Sequence, residues 1–303
     1  MLRRTGRGDY KGRSPCGKLT PRMNVLSIQS SVAYGHVGNA AATLPLQRLG
    51  FEVWPVNTVT LSNHPAHGGF RGRFTEAEEL RALVQGIGER GAFARCDAVL
   101  SGYLGDAANG PVVLEAVAAV KRANSRALYC CDPVMGEKDR GFYVRAGIPE
   151  FFREQALAVC DIVIPNLFEL EFLSGRTADD IPSARAAAET LLAKGPRVIV
   201  VSGLEGARGS IAVLAVAKNG AWLAETPRLA VAAHGAGDAF AALFLGHYLK
   251  RGNVGTALAR AISAQYALMR VTARADTKGD LALVAAQAAI TAPKTLFKAK
   301  KLR

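Results

Sequence analysis

Gly235, Ala236, Gly237 and Asp238 stand together where a glycine-rich turn runs into an apolar helical pattern over 239–250. The first turn of a helix has N–H groups without intrahelical partners and a partial positive charge, and glycine lets a ligand approach the backbone closely. Three successive main-chain donors at 235–237 can therefore hold phosphate oxygens, with the Asp238 carboxylate beside them. A second carboxylate, Asp132, closes the apolar run Leu128–Cys131 and is followed by Pro133. A third, Glu169, follows Asn166 by three residues and so shares its face of a helix start. Asp132 and Glu169 could hold Mg²⁺ through water, because that ion keeps several waters and takes few protein carboxylates. Plainer readings stand beside these: Asp238 as a helix cap, and Asn166 with Glu169 as a reciprocal capping pair.

The elements that must position these groups alternate. From Met23 onward the pattern predicts strands over 25–29, 51–59, 98–101, 128–131, 162–164 and 198–201. Between them it predicts helices over 37–49, 76–89, 112–123, 149–158, 167–173 and 183–194. Continuous apolar strands separated by helices indicate a parallel sheet covered on both faces. Lys218-Asn219-Gly220 then joins two strands over 211–217 and 221–225, since Asn-Gly is a strong hairpin signal. Helices over 239–250, 256–271 and 281–290 follow. The fold class is α/β, one domain over 23–291 with a mostly parallel sheet and an antiparallel edge. In such sheets ligands gather beyond the carboxyl ends of the strands. Polar residues fall there repeatedly: Ser30, Asn63 with His64, Gly102 with Tyr103, Asp132, Asn166 and Ser202.

With 303 residues, 50% of them hydrophobic and 21% charged, the composition suits a soluble globular enzyme. No apolar run approaches the ~18 residues that a membrane span needs. The net charge of +13 raises the question of a nucleic-acid partner, but its placement argues against one. Residues 1–22 carry seven basic side chains against Asp9, and residues 292–303 carry five with no acid, so the body between is nearly neutral. Two solvated basic tails are expected, with 1–22 a disordered extension dispensable for activity and stability. The stretch from Gly12 to Leu19 nearly spells a P-loop, but Leu19 stands where the hydroxyl for Mg²⁺ belongs and no strand precedes it. Five cysteines without a C-x-x-C pair suit buried thiols in a reducing cytosol.

Together these stretches resemble the ribokinase-like superfamily, and within it the pyridoxal kinases, over about 23–290. Gly235-Ala236-Gly237-Asp238 and Asn166-Leu167-Phe168-Glu169 carry the superfamily likeness. Ser101-Gly102-Tyr103-Leu104-Gly105, together with Gln29-Ser30, Tyr34-Gly35-His36 and Gly38-Asn39, narrow it. The resemblance implies a ribokinase-like three-layer sandwich and ATP-dependent phosphorylation of the 5′-hydroxyl of pyridoxal, pyridoxine or pyridoxamine. It implies Asp238 as the base and Gly235, Ala236 and Gly237 as the anion hole. Ser30, Asn63, His64, Pro65, Ala66 and Tyr103 would surround the pyridine ring. Asp132, Ile164, Glu169, Ser202, Thr226, Pro227, Arg228 and Leu229 would serve ATP, with Asp132 and Glu169 on Mg²⁺ and a monovalent cation such as K⁺ nearby. Residues 137–147 would form a flap, and the protein would be a cytoplasmic homodimer without nucleic-acid or membrane partners. Two departures stand out: Pro65-Ala66-His67 replaces the Thr-x-Tyr that tends to follow Ser-Asn-His, and Ser202 occupies a position where some relatives carry lysine. A hydroxymethylpyrimidine kinase, or a non-catalytic B6- or nucleotide-binding protein of the same fold, is the alternative expectation.

Overall fold

A computed structural model of the chain describes residues 23–303. The chain enters on β1 (Asn24–Tyr34), passes through α1 (Asn39–Arg48) to β2 (Glu52–Asn63), and adds a short β3 (Gly72–Phe74). Next come α2 (Ala77–Glu89), β4 (Cys96–Ser101), α3 (Asn109–Ala123) and β5 (Leu128–Cys131). A two-stranded hairpin of β6 (Gly136–Glu137) and β7 (Gly141–Phe142) precedes α4 (Ile148–Phe151), β8 (Ile162–Val163), α5 (Leu167–Ser174), α6 (Ile181–Leu192) and β9 (Val198–Glu205). The expected hairpin of β10 (Ser210–Ala217) and β11 (Gly220–Pro227) leads into α7 (Ala236–Arg251), α8 (Val254–Thr272), α9 (Leu283–Thr291) and β12 (Lys300–Leu302).

The strands form one sheet in the order β12-β11-β10-β9-β8-β5-β4-β1-β2-β3. The six strands from β2 to β9 are parallel, and antiparallel strands flank them on both sides. Successive residues of a strand face opposite sides, so an unbroken apolar run feeds two cores at once. β9 shows this directly: Val198 and Val200 pack with α1, α7, α8 and α9, whereas Ile199 and Val201 pack with the layer of α2 to α6. Three layers result. Sequence order reverses around β1, which has β2 on one side and β4 on the other, and a crevice opens at the carboxyl ends of such strands.

Three local readings change. The helix expected over 149–158 is α4 followed by a π-helical turn, Phe152–Ala156, which directs both Phe151 and Phe152 into the core. The loop expected over 62–73 instead starts two residues late, after Asn63, and ends in β3, which pairs Leu61 with Gly72 and Val59 with Phe74. The solvated tail expected over 292–303 is a correction. Phe297 packs edge-on against Tyr266 at 4.9 Å, its N–H donates to Ser263 Oγ (2.9 Å), and β12 adds to β11. Counting charge there hid the apolar residues between the lysines: Phe297, Ala299 and Leu302 all pack against the two cores. Residues 1–22, with the near P-loop, lie outside the described residues. Cys96, Cys130, Cys131 and Cys160 are buried and unpaired, and no described helix is long and apolar enough to cross a membrane.

Candidate active site

A cavity of about 1110 Å³ lies over the carboxyl ends of the parallel strands. Its floor includes the turn into α7. Gly235 is the N-cap of that helix in the left-handed region (φ 83°, ψ 2°), and no side chain caps it. A Cβ on Gly235 would lie 1.9 Å from the His36 carbonyl oxygen, and one on Gly38 (φ 55°) would lie 2.0 Å from the Ser30 carbonyl oxygen. The turn and the β1–α1 loop therefore interlock only through glycine. Gly237 is different. It sits in the first helical turn, lines the cavity, and has nothing within 4 Å of the Cβ it lacks. Protein packing does not call for glycine there; the open space borders the uncapped N–H groups, where an anion would come closest.

Asp238 is the third residue of α7 and so is not its cap. Its carboxylate accepts hydrogen bonds from its own N–H and from Gly38, yet burial outweighs both and raises its pKa above the ordinary carboxylate value. Asp132, 7% exposed at the end of β5, is raised further by burial and then by the charges of Glu169 and Asp238. Burial likewise pushes Glu169 up to about 8, against N–H donors from Asn166, Met135 and Gly136.

The plainer reading of Glu169 holds as geometry. Its Oε2 accepts from the Asn166 N–H (2.8 Å) while Asn166 Oδ1 accepts from the Glu169 N–H (2.9 Å), a capping box that starts α5. Its Oε1 accepts from the Met135 N–H (3.1 Å), which fastens the segment after Asp132. Capping and cavity duty coincide in one side chain. No Lys or Arg side chain pairs with Asp132, Glu169 or Asp238 among the described residues. Uncompensated, oxygen-only donors of this kind fit a hard cation such as Mg²⁺. No group of three or more His, Cys, Asp or Glu side chains forms a complete metal cage among the described residues, so an ion here would keep waters or phosphate oxygens.

Most of the residues picked from the sequence meet in this cavity. Ser30, His64, Pro65, Ala66 and Tyr103 line the part over β1, β2 and β4. Ile164, Ser202, Thr226, Pro227 and Leu229 line the part over β8, β9 and β11, and Gly235, Ala236, Gly237, Asp238, Asp132 and Glu169 lie between. Asn63 and Arg228 are corrections, since neither lines it. Asn63 Nδ2 donates to the carbonyls of His64 (3.1 Å) and Gly69 (3.2 Å), fastening its own loop, and Arg228 pairs with Glu205.

Other lining residues escaped the sequence reading. Ile262, Gln265, Tyr266 and Met269 project from one face of α8 at helical spacing, a pattern indistinguishable from ordinary core. His234 stacks on His64 with ring centroids 4.0 Å apart and planes at 22°. Beside them His67 Nε2 lies 3.3 Å from Asp280 Oδ1, and the His234 N–H donates to the Gly279 carbonyl (2.8 Å). Burial, then the charges of His234, His67 and Arg140, hold His64 down to about 4, and His234 is lowered too, so the stacked rings are neutral at neutral pH. The β6–β7 hairpin, from Gly136 to Phe142, overlaps the start of the expected flap. Gly136 accepts from Asn166 Nδ2 (2.8 Å), Phe142 packs edge-on against Phe168 (5.0 Å) and Phe172 (5.1 Å), and Arg140 and Tyr143 face the cavity.

Comparisons with known proteins agree with this fold. Residues 91–279 match the family described as phosphomethylpyrimidine kinase. The chain is 50% identical to pyridoxal kinase PdxY of Rubrobacter xylanophilus, covering 92% of this chain and 98% of that protein, and 45% identical to pyridoxal kinase PdxY of Deinococcus radiodurans, covering 94% and 99%. Among solved structures it is similar to pyridoxal kinase from Leishmania donovani in complex with ADP and pyridoxine. The TM-score is 0.87 at 27% identity, over 93% of this chain and 99% of that one. Pyridoxal kinase from Trypanosoma brucei gives 0.84 at 27%, over 93% and 100%. The sheet is that of the ribokinase-like fold, and the relatives it matches are small-molecule kinases. Within that class, the chain belongs to the pyridoxal kinase family.

Proposed function

We propose that this chain transfers the γ-phosphoryl group of ATP to the 5′-hydroxyl of pyridoxal, and of pyridoxine and pyridoxamine, in B6 salvage. One observation carries the reading: Asp238, with a raised pKa, stands at an uncapped helix tip whose Gly237 leaves open space toward the cavity. The 5′-oxygen attacks the γ-phosphorus, the bond to the β,γ-bridging oxygen breaks, ADP leaves, and the hydroxyl proton passes to Asp238. In a loose phosphoryl-transfer transition state, positioning and charge neutralisation supply most of the rate. The amides of Gly235, Ala236 and Gly237 hold the transferred group, and a raised pKa makes Asp238 a better proton acceptor than an ordinary aspartate. Ser30, His64, Pro65, Ala66 and Tyr103 surround the ring, while Ile164, Ser202, Thr226, Pro227 and Leu229 receive the nucleotide. Asp132 and Glu169 would hold Mg²⁺, whose chemistry is to neutralise phosphate charge. The flap excludes water, which would otherwise compete for the phosphoryl group.

The same reading has the enzyme cytoplasmic and homodimeric, with a monovalent cation such as K⁺ beside the phosphates. Four buried thiols suit a reducing compartment, and sedimentation would test the dimer. A second reading, phosphorylation of a hydroxymethylpyrimidine, has the match over 91–279 in its favour. A coupled assay of ATP consumption across the three vitamers and the pyrimidine alcohol separates the two. Higher kcat/KM for a vitamer is expected, and a strong preference for the pyrimidine would overturn the assignment.

A further inference from the structure

The cavity contains a buried polar atom that the reaction above does not use. Gln265, on α8, donates from Nε2 to the Ala236 carbonyl oxygen at 3.0 Å, while its Oε1 is buried with no hydrogen-bond partner among the described residues. A carbonyl oxygen only accepts, so the NH₂ end of the amide must face Ala236 and the oxygen is left stranded. Stranding a buried acceptor is destabilising. Fold stability alone therefore does not account for a glutamine at this point of the helix. The carbonyl of Ala236 and the N–H of Gly237 are the two ends of one peptide group, and that N–H lies in the uncapped first turn of α7. A hydrogen bond accepted at the oxygen polarises the unit and strengthens its N–H as a donor.

We propose that Gln265 is a positioning residue for phosphoryl transfer: through the Ala236 carbonyl it orients and polarises the Ala236–Gly237 peptide, whose N–H meets the transferred group. This rests on the anion-hole reading above. Gln265 touches neither substrate nor reacting atoms in this role. Its contribution grows with the charge on the equatorial oxygens in the transition state, so it acts on kcat more than on KM.

Two variants of the full chain test this. Gln265→Met keeps length and removes the donor; it should lower kcat about tenfold while KM for ATP and pyridoxal stay within about twofold. Because the stranded oxygen disappears with it, the melting temperature should hold or rise. Gln265→Glu can donate only when its carboxyl is protonated, so its kcat relative to wild type should climb as pH is lowered. Wild-type kcat in Gln265→Met would overturn the proposal. So would a kcat loss matched by a fall in melting temperature, or a Gln265→Glu ratio flat with pH. Gly237→Ala, measured alongside, keeps the two layers apart. If it lowers kcat and Gln265→Met does not, the positioning role alone fails; if Gly237→Ala keeps wild-type kcat, the anion-hole reading fails with it.

Discussion

Asp238 combines two features that pull apart in most proteins: it accepts two backbone N–H groups, and its pKa still lies above the ordinary value because burial dominates. Replacement by asparagine preserves shape and removes the proton acceptor. Asp238→Asn should lower kcat by ~10²–10⁴ while ADP binding by calorimetry stays near wild type. Near-normal turnover would remove Asp238 as the base. The wild-type kcat should also rise with pH through a limb above the usual aspartate range, since the base works only when ionised. At this scale the sequence was legible where neighbours along the chain reach the cavity together, as at 235–238. It misled at Asn63, whose amide serves its own loop, and at Arg228, drawn away by Glu205. The His64–His234 stack joins residues far apart in sequence, and no local pattern announces such a pairing.

Among the elements, the β6–β7 hairpin is held to α5 by the Phe142 contacts and by Asn166. Phe142→Ala removes both ring contacts, so the hairpin should close less often over the cavity. Expected is an increase in ATP hydrolysis without substrate phosphorylation, read as the ratio of ADP formed to phosphorylated product. A ratio unchanged from wild type would mean the hairpin does not exclude water. Removal of residues 297–303 deletes β12 and the Phe297 contact, and should lower stability by about 3–5 kcal/mol in urea unfolding, the usual range for losing a packed aromatic. Element types were readable because β-branched runs and helical spacings differ clearly, as in β9 and α8. Short additions such as β3 and β12 were not, because three residues carry no period and their strand state is fixed only by the edge they join.

For the whole molecule, the three carboxyls facing the cavity make stability depend on pH. Asp132, Glu169 and Asp238 all have folded pKa values above their unfolded ones, so the folded chain holds their protons more tightly. The stability they contribute is present at low pH and is lost as pH rises toward the folded values, about 8 for Glu169. His64 and His234 act in the opposite sense, losing stability as pH falls below 6.5 toward the lowered values, about 4 for His64. Between pH 6.5 and 8 the carboxyls govern. The melting temperature of the nucleotide-free protein should fall across that window, and Mg²⁺ with ADP should raise it more at pH 8 than at pH 6.5. A flat profile by scanning fluorimetry would show that these groups are already ionised in the folded chain at pH 6.5.

The outermost strand has one more consequence. β12 carries the consecutive residues Lys300 and Lys301, both exposed and one on each face, along the rim of a ten-stranded sheet. A bare rim is a template on which a second molecule can lay its own strand, and adjacent like charges repel such a copy. Charge on β12 therefore disfavours filament-like growth from that side. Neutralising the two lysines would be expected to cost colloidal stability at high concentration before it costs any turnover.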